Sequence, residues 1–260
     1  MELEKFYLDV VTEDGAGAIG YSSRARMMGL SLRPAVLLQW EADREKAPVQ
    51  QRAVRGRLPE FNAYSLTWNK SPFGLNGKWI RPARHWKEQI LWNDGKTRIS
   101  WQVLAPNSPV TLTQGLNSIS GVGYAEILRL RGTPWRLPID VLRWGRFISL
   151  EHNVTWIEWE SRKGNRRWLW ADSDATIGKF SMGDHSVSWG DYSLSFSDWR
   201  TLRSGMLGKT VFNSMYRLSN ILPKWIKAMD ETKWLARGIL TGPDNLEHHG
   251  WVIHETVRLR

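Results

Sequence analysis

The sequence predicts an all-β protein made of two successive antiparallel β-barrel domains related by internal duplication, and three observations carry that expectation. The stretch Gly121-Val122-Gly123-Tyr124-Ala125-Glu126-Ile127-Leu128-Arg129-Leu130-Arg131 returns 129 positions later as Gly250 to Arg260, without a gap and with Gly, Glu, Arg, Leu and Arg in identical places. Tyr64-Ser65-Leu66-Thr67-Trp68 has a counterpart in Tyr192-Ser193-Leu194-Ser195-Phe196 at an offset of 128. The 17 Trp fall mostly in short segments bounded by Gly, Pro, Asn or Asp, the profile of strands joined by tight turns.

Taken in order, Phe6 to Thr12 reads as a first strand, Asp14-Gly15 as a turn, and Ala18 to Leu32 as a long ribbon. Ala35 to Glu41 follows, then a charged excursion from Glu41 to Gln51, then the strand Tyr64 to Trp68. Gln89 to Trp92 and Thr97 to Leu104 flank Asn93-Asp94-Gly95, a hairpin signal. Pro134 and Pro138 remove ladder donors from Gly132 to Pro138, which places a domain junction there and gives domains 1–133 and 134–260. Val154 to Ser161 and Arg166 to Asp172 flank a polar turn, and Ser181 to Trp189 precedes Tyr192 to Phe196. Ser214 to Met229 has helical spacing that Pro223 interrupts.

Composition narrows the function classes. There is no Cys, so disulfides, thiolate metal sites and cysteine nucleophiles are excluded. The 36 Lys and Arg against 26 Asp and Glu give a net charge of +10, which suits contact with an anionic membrane surface or acidic ligands. No zinc spacing or RNA-recognition pattern accompanies it, so specific nucleic-acid binding is not expected. The acidic N-terminus is unlike a signal peptide, and no apolar run approaches the roughly 18 to 20 residues of a transmembrane segment. A cytoplasmic location is expected.

Strand alternation puts Val122, Tyr124, Glu126, Leu128 and Leu130 on one face, and Trp251, Ile253, Glu255, Val257 and Leu259 on the matching face of the second copy. These faces read as inward, so each copy aims one carboxylate into an apolar row. Gly121 to Glu126, Gly-x-Gly-Tyr-x-Glu on a late strand, resembles the lipocalin-related family of AttH-like proteins and carotenoid 1,2-hydratases (CrtC-like), whose distant relatives include tocopherol cyclase and Diels-Alder cyclases. The resemblance implies two lipocalin-like β-domains across the whole chain. It also implies a Trp, Asp, His and Gly cluster near the first domain, whereas Asp184-His185 with Trp189-Gly190 lies in the second half.

A carboxyl buried in an apolar barrel can become a proton donor near neutral pH, and aromatic walls stabilise a developing cation. Glu126, Glu255 and Tyr124 are therefore the candidate catalytic residues, and Trp101, Trp234, Trp251, Trp156 and Tyr192 the candidate ligand contacts, with Trp234 in a place resembling Trp101. Arg24 and Arg26 share the parity of Met28, Leu30 and Leu32, and an inward Arg would instead hold Glu126 as a structural ion pair. His248 and His249 point apart in a strand and His254 has the outward parity, so no metal site is expected, and no cofactor is implied. Asp184-His185-Ser186 is adjacent in sequence, which does not make a triad. The glycines of Asp14 to Gly20 join strands and cradle no phosphate. The expected function is binding of a hydrophobic small molecule (isoprenoid, lipid or polyketide) in a barrel or interdomain cavity, with hydration or cyclisation as its chemistry. The alternative is a non-enzymatic carrier or a structural protein with a basic surface.

Overall fold

The structure is a computed structural model of the chain, described here for residues 1–27, 29–42, 49–69, 71–81, 87–172, 176–177, 179–210 and 227–259. Much of the expected excursion between Glu41 and Gln51, and most of the helical spacing from Ser214 to Met229, lie outside these residues. The chain divides into two compact units, Met1–Leu137 and Pro138–Arg260.

The N-terminal unit contains β1 (Glu2–Val11), β2 (Gly17–Met27), β3 (Leu30–Leu32), β4 (Pro34–Trp40), β5 (Gln50–Arg55), β6 (Glu60–Phe61), β7 (Ser65–Trp68), β8 (Leu75–Ile80), β9 (Gln89–Asn93), β10 (Arg98–Gln114) and β11 (Asn117–Arg131). They form one sheet in the order β5-β4-β2-β1-β11-β10-β8-β7-β6, with β3 against β2 and β9 against β10. The C-terminal unit contains β12 (Val141–Ile148), β13 (Asn153–Glu160), β14 (Arg166–Ala171), β15 (Thr176–Ile177), β16 (Ser181–Met182), β17 (Ser186–Trp189), β18 (Tyr192–Met206), β19 (Asp230–Thr241) and β20 (Glu247–Arg258), in the order β15-β14-β13-β12-β20-β19-β18-β17-β16. Among the described residues the strand pairings are antiparallel in both units, as hairpin-linked strands require. Among the described residues no helix is long and apolar enough to cross a membrane.

Laid side by side, the two orders match strand for strand, with β11 and β20 in the same central place beside the first strand of each unit. The duplication is therefore one of topology as well as sequence. The match corrects one expectation: the partner of β7, Ser65-Leu66-Thr67-Trp68, is β17, Ser186-Val187-Ser188-Trp189, and not Tyr192 to Phe196, which opens β18. The expected ribbon from Ala18 to Leu32 is also two strands. Met27 pairs with Leu30 across a turn where Gly29 has φ 77°, so parity cannot be counted back through it.

The repeated glycine has a steric cause. A Cβ on Gly121 would lie 2.2 Å from the Val11 carbonyl oxygen, and one on Gly250 2.3 Å from the Ile148 carbonyl oxygen. Both contacts are to backbone at the end of each unit's first strand, which cannot swing aside. Gly121→Ala and Gly250→Ala are each expected to cost about 1–3 kcal/mol by overpacking, read as a lower urea midpoint. A change below about 0.5 kcal/mol in either would remove this account of the repeat.

Each sheet curls around one face. In the N-terminal unit Phe6, Leu8, Val10, Ala125 and Ile127 of the central strands meet Leu37 of β4 and Leu66, Trp68 and Trp79 of β7 and β8. In the C-terminal unit Phe147, Trp156 and Val252 meet Leu169, Val187, Trp189, Phe196 and Ala236. These clusters take the row of Ala125 and Val252, the opposite one from Glu126 and Glu255, so the inward assignment of the two glutamate rows is reversed. The cause is that both faces of the central strands are buried: Phe6 to Val11 and Gly123 to Ile127 are buried without alternation. Alternation still separates the two rows, but it no longer says which one the sheet encloses.

Candidate functional site

In the N-terminal unit, register sets Val103 opposite Glu126 and Trp101 opposite Leu128, so the Trp101 indole and the Glu126 carboxylate share a face. Trp101 Nε1 donates to Glu126 Oε2 at 2.6 Å, and the Tyr124 hydroxyl donates to the same oxygen at 2.8 Å. Asp9 fixes the neighbouring backbone by accepting from the Tyr7 hydroxyl at 2.8 Å and from Tyr124 N–H at 3.1 Å. The structure thus brings Trp101, Tyr124 and Glu126 together. Arg24 lies on the other face, where it donates to Glu4 at 2.9 Å. Arg26 shares the row of Arg24, and both line a charged groove with Glu2, Arg129 and Arg131. The arginine partners expected for Glu126 are therefore placed elsewhere.

Glu255 is ion-paired with Lys233, which lies directly opposite it on β19 and is completely buried. The Lys233 ammonium also sits 5.5 Å from the centre of the Trp144 ring. Burial lowers its pKa below the ordinary lysine value, against the opposing pull of Glu255 and Glu231. Next to it Arg203 Nε donates to Glu231 at 3.0 Å. This face of the C-terminal unit is thus a buried ionic network in which Glu255 is already a partner.

The enclosed face of the same unit holds a different group. His254 lies opposite Trp234 on β19 and Gly145 on β12, and Gly145 lies opposite Trp156 on β13. A Cβ on Gly145 would fall 2.1 Å from Trp156 Cζ2, so this glycine makes the room in which the indole lies beside His254. The imidazole is boxed by Trp234 at 5.5 Å, Trp156 at 6.1 Å, Trp199 at 6.1 Å and Phe196 at 6.3 Å between ring centres. It is 5% exposed, and neither ring nitrogen has a hydrogen-bond partner among the described residues. Trp156 Nε1 is likewise buried without one. Burial, reinforced by Lys233 and Arg143 and opposed by Glu255, pulls the His254 pKa from 6.5 down to about 4. The ring is neutral at pH 7, so one nitrogen donates and the other accepts. Beyond the box, Glu158 accepts from Arg143 at 3.0 Å and from Arg167 at 2.6 Å.

Of the expected ligand contacts, Trp156 and Trp234 belong to this box. Trp234 and Trp101 are not equivalent, since Trp234 pairs with His254 and Trp101 with Leu128, on opposite rows of the repeat. Trp251 lies on the Glu255 row with the Arg237 guanidinium 3.7 Å from its ring centre. Tyr192 is 39% exposed and stacks on Trp189 at the turn into β18. Asp184 and His185 are exposed, with the His185 ring 5.4 Å from that of Trp199. Sequence reasoning missed His254, Phe196 and Trp199. The available signal was Val252 beside Ile253, two apolar residues in succession that mark a strand buried on both sides.

No protein-family profile and no curated protein matches the chain. Solved structures do. CghA with Sch210972 aligns with a TM-score of 0.59 and 10% identity, over 99% of this chain and 88% of that one. An AttH-type protein from Nitrosomonas europaea aligns with a TM-score of 0.53 and 9% identity, over 100% and 93%. Kievitone hydratase from Nectria haematococca gives 0.51 and 10%, over 98% and 88%. At these identities the likeness is one of fold, and it meets the resemblance read from Gly121 to Glu126 at that level: the chain is a two-domain lipocalin-like β protein with the architecture that CghA, the AttH-type protein and kievitone hydratase share.

Proposed function

We propose that the C-terminal unit binds an apolar small molecule, of the isoprenoid, lipid or polyketide kind, and that His254 meets its one polar group and acts as the acid–base residue of a hydration or cyclisation. The observation that carries this reading is the pair of unpartnered ring nitrogens inside an aromatic box. A buried donor or acceptor left without a partner costs about 1–3 kcal/mol, and native proteins retain few of them. A ligand hydroxyl or carbonyl would satisfy His254 while the indoles cover an apolar skeleton. A neutral imidazole can take a proton from such a group and return it, and the ring faces of Trp156, Trp199 and Trp234 suit a cationic intermediate. The names of two structural neighbours, one solved with Sch210972 and one a kievitone hydratase, support small-molecule chemistry on this fold. The net charge of +10 would draw the protein toward anionic membranes, where apolar compounds collect.

The second reading, a carrier without turnover, is favoured by the engagement of both glutamates, Glu126 by Trp101 and Tyr124 and Glu255 by Lys233. It predicts binding with no conversion. Tryptophan quenching by farnesol, alongside native mass spectrometry for compounds that copurify, tests both. His254→Leu keeps apolar volume and removes the polar contact, and it is expected to weaken binding about tenfold. Unchanged affinity in a folded His254→Leu protein would move the site elsewhere.

A further inference from the structure

The turn between β12 and β13 and the start of β20 bring together residues that the chemistry above leaves unused. Glu151, His152 and His248 each present a ligand atom, all within 4.8 Å of one another. The two imidazoles lie edge to face with ring centres 4.1 Å apart. His248 Nδ1 is 3.2 Å from Glu151 Oε2. Two ligands bound at about 2.0–2.1 Å to a tetrahedral zinc ion stand about 3.3 Å apart, so this pair already has the required spacing. His152 Nδ1 is 2.6 Å from Asp172 Oδ2. A carboxylate behind a ligating histidine fixes its tautomer and leaves the other nitrogen as the lone-pair donor.

We propose that Glu151, His152 and His248 form a binding site for a divalent transition ion of the Zn²⁺ type, with Asp172 as the residue that orients His152. His152 binds through Nε2, which Asp172 leaves available, His248 through Nδ1, and Glu151 through a carboxylate oxygen. Water fills the fourth position of the tetrahedron. Imidazole nitrogen selects zinc and its neighbours over magnesium and calcium, which take oxygen cages. The scaffold is set before an ion arrives. Ser149 Oγ accepts from His152 N–H at 2.9 Å, and Asp172 Oδ1 accepts from Asn153 N–H at 2.6 Å, which ties the end of β14 to the turn. An ion here would clamp the β12–β13 turn and the end of β14 to β20, the strand that also carries His254.

The test is calorimetric titration of the full, tag-free chain with ZnCl₂, and then with MgCl₂, beside thermal melts. One Zn²⁺ per chain with a midpoint raised by roughly 5 °C or more, and no response to Mg²⁺, is the expected result. His152→Ala and His248→Ala should each abolish the shift. Asp172→Asn should weaken binding about 10- to 100-fold. Asp172 has φ 50°, a conformation that Asn adopts readily, so the variant keeps the turn. His249→Ala, at an exposed histidine 3.5 Å from Glu247, should bind as the parent does. No heat with Zn²⁺, or equal binding by a folded His152→Ala, His248→Ala double variant, would overturn the site.

Discussion

Lowering the pH from 7 to 4 is expected to remove about 3 kcal/mol of stability from the C-terminal unit through His254 alone. The imidazole titrates near 6.5 in the unfolded chain and at about 4 when folded, because burial, Lys233 and Arg143 all oppose a second proton. Between those values the unfolded chain binds a proton that the folded chain refuses, so unfolding becomes easier as pH falls. The contribution is complete above 6.5, declines through the window and levels off below 4. Urea midpoints measured from pH 7 to pH 4 should show this slope on top of the carboxylate titrations common to all proteins. His254→Leu should flatten the slope by the stated amount. Parallel profiles for the two proteins would mean that the ring is hydrated or partnered in solution. The same window applies to ligand release if His254 accepts a hydrogen bond from the bound molecule.

Lys233→Met should destabilise the chain by about 3–5 kcal/mol. The substitution keeps the length of the side chain and deletes the cation, which leaves Glu255 with a side chain only 14% exposed and no lysine opposite it. Lys233→Met combined with Glu255→Leu should recover most of the loss, since two apolar residues of similar volume replace a pair whose desolvation nearly cancels its attraction. The comparison is a double-variant cycle in urea. A single variant that loses less than about 1 kcal/mol would show that water reaches this pair.

The sequence revealed the duplication and the strands more readily than the side of the sheet that mattered. The terminal repeat and the Asn93-Asp94-Gly95 hairpin are local signals, and local signals survive burial. Face assignment is relational. It requires one row to be wet, and in β11 and β20 neither row is, so Glu126 and Glu255 were placed with the enclosed core and His254 with solvent. The hydrogen-bonded group of Trp101, Tyr124 and Glu126 was nevertheless legible, because residues sharing a row remain neighbours whichever way the row faces. The box around His254 was not, since Trp156, Phe196, Trp199 and Trp234 come from three strands distant in sequence. His152 and His248 are as distant in sequence, and no spacing rule for metal ligands spans a turn and a strand so separated.

The order of the strands also limits how one copy of this chain can join another. Among the described residues, three of the four strands that end the two sheet orders, β6, β15 and β16, are two residues long, and the fourth, β5, carries Arg52 and Arg55, while β3 and β9 branch off the first order. A stray β-segment needs a run of vacant N–H and C=O groups to zip onto, and at those four ends it finds either a stub or a strand carrying two arginines. Edge addition is thus disfavoured at the four ends of the two orders, while the Trp-rich strands between them are already paired on both sides.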